Sequence, residues 1–479
     1  MRRLLAVPAA ALTAALSLAA VTPAATAATP GRSASPSLAS GALASFGAPA
    51  STVRTGLAIV ARPTDGNDPR GDSYTTDNVK MKCSAHICVH WVNGTADKVA
   101  DGWQDTTLTQ MNKVWGYVVG DLGYRPPLGD GKRGGNAKLD VYLKDLGSRG
   151  YAGYCALERV TSNGLFATSY CVLDNDFATA QFGRPPVRNL RTTAVHEFFR
   201  AVQYAYDSDE DDWFVESTAT WMEEQYADDV NTNRDFIQYG QVAIPSEPLD
   251  LAVGNGYPQF GDWVFWEYLS QRLGKGIVKS VWTKAGEFKD GGQMYSTQAL
   301  VSALKNKGTF AERFALYASS NTAPGKGYSE GGSWGQAAPM EHSYTLTSGS
   351  SATDSVTIDH LASSNIKITP SYAVTGKSQR VRIDVDGPSS KSAPRAVVAV
   401  TKKDGTIART VMTLDGSGVG HASFLFDANQ ISFVTLTLVN ASTHYACWTQ
   451  PSADPSYSCQ GSSRDDNRVF TYTARSTTV

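Results

Sequence analysis

Apolar side chains in the first half of the chain recur with the periods of both strands and helices. Residues 87–92 (ICVHWV) form a short apolar run, and residues 139–147 (LDVYLKDLG) alternate as a half-buried strand does. Near-helical spacing runs through residues 97–122, then returns from Val187 onward and over residues 260–274. A strand, a helix, a strand and then several helices is the order of a mixed α/β domain.

The helix that begins near Val187 is followed closely by a second one. Its core stripe is formed by Val195, Phe199, Val202 and Tyr206, and His196 and Arg200 share the neighbouring face. The acidic run DSDEDD (207–212) ends this helix and supplies N-cap candidates for the next, WFVESTATWMEEQY. Because the run lacks the ligand spacing and the glycine of an EF-hand loop, we interpret it as a solvated turn, not a calcium site.

The pattern changes after about residue 323. The chain becomes rich in Thr, Ser, Val and Gly, and the step Asp404-Gly405 predicts a hairpin turn. Short alternating or β-branched runs predict strands at residues 381–385, 397–400, 424–426 and 434–439. These features indicate an all-β sandwich without a helix.

Composition adds two segments at the N-terminus. Residues 1–27 combine two arginines, an apolar core and a small-residue cleavage site, which is typical of an export signal peptide. Residues 28–80 are rich in Ala, Ser, Gly and Pro, so we interpret them as a linker or a pro-segment. The predicted fold class is therefore α+β, with a mixed α/β domain over 81–325, a linker over 326–340 and a β-sandwich over 341–479.

The cysteines fit an exported protein. All six fall in three close pairs, Cys83 with Cys88, Cys155 with Cys171, and Cys447 with Cys459. In an exported chain this pattern predicts three local disulfides. A cysteine metal site is disfavoured, because the sequence has no C-x-x-C and the pairs lie far apart.

The charge restricts the class of partner. The formal net charge of −2 gives no basic surface for nucleic acid or for an anionic membrane. After the signal peptide, no segment approaches the ~18 uninterrupted apolar residues of a membrane span. We therefore expect a secreted monomer whose partner or substrate is an extracellular protein or peptide.

Candidate chemistry lies on the two adjoining helices. Zinc hydrolysis needs three protein ligands, an open position for water and a carboxylate that accepts the proton of that water. The motif H-E-x-x-H supplies two imidazoles one helical turn apart with the base beside them. His196 and Glu197 match its start, and Glu216 on the second helix is placed to fold back as a further ligand.

The combination of HEFFRAVQYAYD with WFVESTATWMEE resembles the helix pair of secreted bacterial zincin metalloproteases of the gluzincin-like type. The phrases HWV, LGYRPP, LDVYLKDLG and YAGYC upstream extend the resemblance over most of residues 85–275. It implies a zincin-like catalytic domain with Zn²⁺ as cofactor, His196 and Glu216 as metal ligands and Glu197 as general base. It also implies a histidine at position 200.

Arg200 departs from that pattern. A guanidinium stays protonated and has no lone pair for a metal, so it argues against zinc binding. We hypothesise that Arg200 fills the metal position and pairs with Glu216, which would keep the two helices joined without metal. The chain is then either a zinc metallopeptidase with a degenerate site or an inactive pseudoprotease that acts as an extracellular binding protein. Glu223, two turns beyond Glu216, is interpreted as a solvated residue or as a partner of a ligand side chain.

Other candidate residues are weaker. His86 and His90 would lie about 13 Å apart on a strand, too far to share a metal, so a structural role is expected. Tyr239 and Tyr257 lie where such an enzyme could place a phenol beside an oxyanion. The sequence GYSEG (327–331) matches the nucleophile elbow of serine hydrolases, but linker sequence flanks it where a strand and a helix are required.

Overall fold

The structure is a computed structural model that describes residues 61–66, 71–254, 256–289, 292–450 and 454–479. The predicted signal peptide, residues 1–27, lies outside the described residues. Both helices and several β-sheets are present, so the chain is α+β as the sequence predicts. Among the residues that the structure describes, no helix combines the length and apolarity needed to cross a membrane.

The first sheet has five strands in the order β1-β2-β3-β5-β4. Their bounds are Lys80–Cys83 (β1), Ile87–Trp91 (β2), Leu139–Lys144 (β3), Gly153–Val160 (β4) and Ala167–Asp174 (β5). The three central strands run parallel, and each outer strand pairs antiparallel with its neighbour. The strands predicted near 87–92 and 139–147 are thus confirmed as β2 and β3.

Strand β3 is buried along its whole length, although its alternating pattern predicts a half-buried strand. Val141 and Leu143 face the main core beneath the helices. Tyr142 faces a second, smaller cluster that includes Tyr74 from the chain before β1. The N-terminal segment therefore covers the face that the pattern assigns to solvent.

Ten helices lie within the described residues. They are α1 (Trp103–Trp115), α2 (Thr179–Phe182), α3 (Pro186–Gln203), α4 (Asp212–Ala227), α5 (Pro258–Gly261), α6 (Trp263–Leu273), α7 (Gly276–Ala285), α8 (Ser296–Leu304), α9 (Phe310–Ser320) and α10 (Pro324–Gly327). Helix α3 begins at Pro186, where the lost N–H needs no partner. Helix α6 ends before Gly274, which has a φ of 84°.

Two predicted helix boundaries are corrected. The helix predicted from residue 97 begins at Trp103, because Gly102 has a left-handed backbone with a φ of 81°. The helix predicted over 260–274 is split at Asp262, whose backbone leaves the helical region. There the Asp262 carboxylate accepts a hydrogen bond from the Gln241 backbone N–H at 2.9 Å.

The second half of the chain forms two further large sheets. Their strands are β8 (His342–Leu346), β9 (Ser351–Ile358), β10 (Ala362–Pro370), β11 (Gln379–Asp386), β12 (Pro394–Lys402), β13 (Ile407–Val411), β14 (Val419–Leu425), β15 (Ile431–Asn440) and β18 (Arg468–Thr478). One sheet has the order β13-β12-β15-β10-β8 and the other β14-β11-β18-β9. Apolar residues from both sheets share one core, which makes this region β-sandwich-like.

The smaller strands form two separate pairs. Strands β6 (Phe288–Lys289) and β7 (Gly292–Gln293) pair with each other, as do β16 (Tyr445–Ala446) and β17 (Ser462–Ser463). The predicted hairpin turn is confirmed at Gly405, which has a φ of 81° between β12 and β13. The four predicted strands fall on β11, β12, β14 and β15.

The helical part and the β-rich part are joined by buried polar contacts. Asp250, in the loop before α5, accepts hydrogen bonds from Tyr445 at 2.6 Å and from the Ser458 backbone N–H at 3.0 Å. Its other oxygen lies 3.0 Å from Nε2 of His360. Tyr445, Ser458 and His360 all come after β9 in the chain, so the Asp250 carboxylate links the helical part to the β-rich part.

All three predicted disulfides are confirmed. Cys83–Cys88 closes the β1–β2 hairpin, Cys155–Cys171 links directly opposed residues of β4 and β5, and Cys447–Cys459 lies in the β-rich part. The structure describes no free cysteine.

Candidate functional site

Helix α3 brings His196, Glu197 and Arg200 into the interior of the helical part. His196 and Arg200 are one turn apart and so lie on one face, as the sequence predicts. All three side chains are buried. Sγ of Cys155, in the Cys155–Cys171 disulfide, lies 2.8 Å from the carbonyl oxygen of Glu197, where α3 packs against β4 and β5.

Helix α4 packs beside α3 and presents two carboxylates to it. Oε2 of Glu216 lies 3.2 Å from Nε2 of His196, and Oε1 of Glu223 lies 2.8 Å from Nδ1. Both nitrogens of the imidazole therefore face carboxylate oxygens. Glu216 and Glu223 are seven residues apart on α4, which places them on one face two turns apart.

The guanidinium of Arg200 reaches the same glutamate. Its Nη1 donates to Oε1 of Glu216 at 2.5 Å, and both side chains are almost fully buried. Burial alone would lower the pKa of Arg200, but Glu216, Tyr204 and Glu197 together outweigh burial and raise that pKa. Burial would likewise raise the pKa of Glu216, yet Arg200 and His196 hold it below its usual value. These shifts favour the ionised forms of both Arg200 and Glu216.

The surroundings of His196 favour its protonated form. Burial alone would lower its pKa, but hydrogen bonds with Glu216 and Glu223 and the charge of Glu197 together raise it to about 10. An imidazolium donates from both nitrogens, which matches one carboxylate oxygen at each. The second oxygen of Glu223 accepts a hydrogen bond from Thr232 Oγ1 at 2.8 Å.

Glu197 is buried beside these groups but is left out of their hydrogen bonds. Among the described residues, neither of its carboxylate oxygens has a hydrogen-bond partner. Burial, with a contribution from the charge of Glu216, raises the pKa of Glu197.

These residues do not fit a three-ligand zinc site. Zinc needs a free lone pair from each ligand and an open position for water. His196 shares both of its nitrogens with carboxylates, and Arg200 has no lone pair and carries a permanent positive charge. Glu216 is the carboxylate that lies between Nε2 of His196 and Arg200, where a metal ion would sit. The guanidinium of Arg200 already contacts one of its oxygens.

The other predicted residues lie around the site or away from it. Tyr239 and Tyr257 pack on each other with ring centroids 5.1 Å apart. Tyr257 also contacts Phe260, whose ring lies over His196 at 6.1 Å. The ring of Phe260 therefore lies between Tyr257 and His196.

His86 and His90 both have structural surroundings. The His86 ring stacks on Trp115 at 4.4 Å. His90 is buried, stacks on Tyr142 and places Nε2 2.7 Å from Asp140 Oδ1. Ser329 of the GYSEG sequence accepts a hydrogen bond from Gln271. It lies just after α10, so a helix precedes it and not the strand that a nucleophile elbow requires.

Of the two interpretations of Glu223, the structure agrees with a partner of His196, and the expectation for the acidic run is corrected. Glu223 is buried against His196 and Thr232 and does not lie on a solvated face. Three of the six residues in the acidic run 207–212 are buried, so the run is not simply a solvated turn. Within it, one oxygen of Asp211 accepts hydrogen bonds from Ser296 Oγ at 2.6 Å and from the Cys459 backbone N–H at 3.0 Å. Distant parts of the chain cover these carboxylates, which the local sequence does not indicate.

A second acidic group lies at the end of α4. Carboxylate oxygens of Glu224, Asp228 and Glu330 lie within 4.8 Å of one another, as metal ligands do. Burial raises the pKa of Glu224 to about 8. Asn233 donates to Glu224 at 2.6 Å and Arg234 pairs with Glu330, so protein donors already satisfy part of this group.

Comparison with known proteins gives little further information. No family model matches the chain. No curated protein matches it either. Among solved structures, it is similar to the crystal structure of the pre-peptidase C-terminal domain of a collagenase from Bacillus anthracis, at 11% identity and a TM-score of 0.16. That match covers 29% of this chain and 96% of the other, and a score this low supports no conclusion about fold or function.

Proposed function

We propose that the chain is an exported protein with a zincin-like domain and a β-sandwich, which binds an extracellular protein or peptide and has lost zinc hydrolysis. In this proposal, the buried cluster on α3 and α4 joins the two helices without metal. The sequence resemblance and the convergence of His196, Glu197 and Glu216 support descent from a zinc peptidase. Three disulfides support an extracellular location.

The contact between Arg200 and Glu216 is the observation that carries the proposal. At 2.5 Å, the guanidinium stands against the carboxylate that the resemblance assigns to the metal. A monovalent guanidinium there replaces part of the charge of a dication and repels any cation placed beside it. The position beside Glu216 cannot hold both the guanidinium of Arg200 and a zinc ion.

The state of Glu197 supports loss of hydrolysis independently. A general base must be ionised and within hydrogen-bond reach of the water it activates. Glu197 is fully buried, and neither of its carboxylate oxygens has a hydrogen-bond partner among the described residues. A carboxyl group without access to solvent does not reach the water that it would have to activate.

A zinc metallopeptidase is the second candidate. The observation in its favour is that the nearest oxygen of Glu216 lies only 3.2 Å from Nε2 of His196, close enough for both side chains to reach one ion. Binding would require displacement of Arg200 and loss of a proton from Nε2 of His196. It would therefore be weak and strongly dependent on pH.

Metal content of the purified mature protein tests the proposal. Protein prepared with zinc supplied is expected to hold far less than one zinc per chain, and to show the same low peptide cleavage with and without a chelator. Arg200→His should gain one zinc, because it restores a neutral donor one turn after His196. Arg200→Gln is the matched control, since it removes the charge without adding an imidazole. Stoichiometric zinc in the native protein, lost together with peptide cleavage in chelator, would establish the metallopeptidase instead.

A further inference from the structure

A cavity of about 480 Å³ lies where the β-sandwich-like region meets the helical part. Its walls come from the starts of β8 and β10, the end of β9 and the loop 243–246 before α5. Residues 347–350 connect β8 to β9, and the lining residues of both strands are those furthest from this connection. The volume lies within the range of ~300–1,000 Å³ that is usual for ligand pockets.

Backbone hydrogen bonds hold the walls of the cavity in place. The N–H of Ser363 on β10 donates to the Pro245 carbonyl at 2.7 Å, which joins the sandwich to the helical part. The N–H of Glu341 donates to the Asn365 carbonyl at 2.8 Å. The side-chain amide of Asn365 donates to the Pro339 carbonyl at 3.3 Å. The cavity is therefore formed by backbone segments that are fixed to one another.

Strand β9 presents its free edge to the cavity. It is the last strand of its sheet and pairs with β18 alone among the described strands. Four consecutive residues of β9, Ser355–Ile358, line the cavity. Because successive side chains of a strand point to opposite faces, a space lined by consecutive residues lies along the edge of the strand. Such an edge offers backbone N–H and C=O groups to a further strand.

Acidic side chains border the cavity. Glu341 is exposed, and no hydrogen bond or ion pair joins its carboxylate to another of the described residues. Nδ1 of His342 lies 3.8 Å from Oδ2 of Asp354 on β9, which brings a second carboxylate near. The described residues that line the cavity include neither lysine nor arginine. Charge complementarity therefore favours a cationic occupant over an anionic one.

The lining also has the character of a strand-pairing site. Ser355 and Thr357 on β9 are exposed, whereas Val356 and Ile358 between and after them belong to the core of the sandwich. A peptide in extended conformation is the class of ligand that a free strand edge recognises, because its own N–H and C=O groups continue the sheet. The edge of β9 and the carboxylate of Glu341 together describe an extended peptide with a basic side chain.

We propose that this cavity binds an extended segment of an extracellular peptide or protein, which pairs with the free edge of β9 and places a lysine or arginine side chain beside Glu341. Main-chain hydrogen bonds supply the affinity, and the carboxylate selects the basic side chain. This inference names the binding site that the proposed function leaves open, and it rests on that function for the class of partner. The cavity shares no residue with α3 or α4, so the zinc experiment and the binding experiment fail independently.

Fluorescence anisotropy of labelled heptapeptides with the full mature protein tests the site. The probes are Ser-Thr-Val-Lys-Val-Thr-Ser, the same peptide with glutamate in place of lysine, and the same peptide with proline in place of both valines. We expect saturable binding of the lysine peptide. The glutamate peptide should bind at least ~5-fold more weakly, because Glu341 repels its charge. The proline peptide should not bind saturably, since it lacks two of the N–H groups that a strand donates.

Variants of the protein locate the site. Glu341→Gln should weaken binding of the lysine peptide about 2–5-fold, as expected for an ion pair at an exposed carboxylate. Ser355→Lys should weaken it further, because a lysine on an edge strand opposes pairing and repels the basic peptide. Glu312→Gln is the matched control, since Glu312 is an exposed glutamate on α9 outside the cavity. All three positions are exposed, so the variants are expected to fold, and their urea midpoints check this.

The outcomes separate the proposed occupant from others. The proposal is overturned if the lysine peptide does not bind saturably to the native protein. Equal binding of the glutamate peptide would contradict selection of a basic side chain, and equal binding of the proline peptide would contradict strand pairing. The proposal is also overturned if Glu341→Gln and Ser355→Lys both bind the lysine peptide as tightly as Glu312→Gln does.

Discussion

Replacing Glu216 with glutamine would remove the charge that joins α3 to α4 while it keeps the size of the side chain. In the native protein this carboxylate faces Arg200 at 2.5 Å and His196 at 3.2 Å. After Glu216→Gln, Glu223 still contacts His196, whereas Arg200 loses the carboxylate that it contacts. The variant therefore tests whether the ion pair holds the helices together.

The burial of the pair sets the size of the effect. The side chains of Arg200 and Glu216 are 3% and 10% exposed, so the pair belongs to the buried class. Removing one partner of a buried ion pair costs about 3–5 kcal/mol, because the other charge stays buried and unpaired. The pair of Arg191 with Asp229 is 28% and 59% exposed, and a surface pair of this kind contributes ~0–1 kcal/mol. Asp229→Asn is therefore the matched control.

Urea unfolding with intact disulfides, followed by tryptophan fluorescence, measures both variants in the presence of a chelator. We expect Glu216→Gln to lower the midpoint strongly at an unchanged m-value, and Asp229→Asn to change it little. The double variant Arg200→Met with Glu216→Met should recover most of the loss, since apolar groups of similar volume often replace a buried ion pair at little cost. If Glu216→Gln is as stable as Asp229→Asn, the reasoning about the cluster is refuted.

Three further predictions concern single buried groups. Glu197→Gln should stabilise the protein at neutral pH, because burial raises the pKa of Glu197 and the contribution of this group to stability is lost as pH rises. The gain in stability should vanish below the ordinary glutamate pKa of ~4.3. A variant that is less stable than the native protein at pH 7 would contradict this. His196 has a pKa of about 10 in the folded protein against ~6.5 unfolded, so its contribution is complete below pH ~6.5 and disappears as pH rises through about 10. The stability difference between native protein and His196→Gln, measured by urea unfolding from pH 6 to 10, should shrink accordingly, and a difference independent of pH argues against an imidazolium. Arg62→Met removes the cation that contacts Asp130, Asp140 and Glu158; His90 still contacts Asp140 and Arg133 still contacts Glu158, but Asp130 stays buried without its arginine, so the variant should cost about 3–5 kcal/mol in the same assay. A loss below ~1 kcal/mol would show that the N-terminal segment is not anchored there.

The helix pair could be predicted from the sequence because its signals are local. The spacing of His196 and Arg200 follows directly from the helical period. The structure brings Glu216 to the same place, as the hypothesis of an Arg200–Glu216 pair requires. Pro186 marks the start of α3, although α3 ends at Gln203 and not at the acidic run 207–212.

Contacts made by distant segments could not be predicted. Thr232, which orients Glu223, comes from the loop after α4, and no motif marks it. Arg62 lies in a segment that its composition assigns to a linker, yet its partners are 68 to 96 residues further on. The burial of Asp211 depends on Ser296 and Cys459, which only the tertiary fold brings near. In each case the deciding interaction is between residues far apart in sequence, and periodicity carries no information about it.

Crystals of the mature protein grown with zinc supplied, with anomalous scattering recorded at the zinc edge, test the central claim most directly. We expect Arg200 to remain paired with Glu216 and no zinc peak to lie between His196 and Glu216. A zinc peak ~2.0–2.1 Å from Nε2 of His196, with Arg200 turned away from Glu216, would contradict a metal-free cluster.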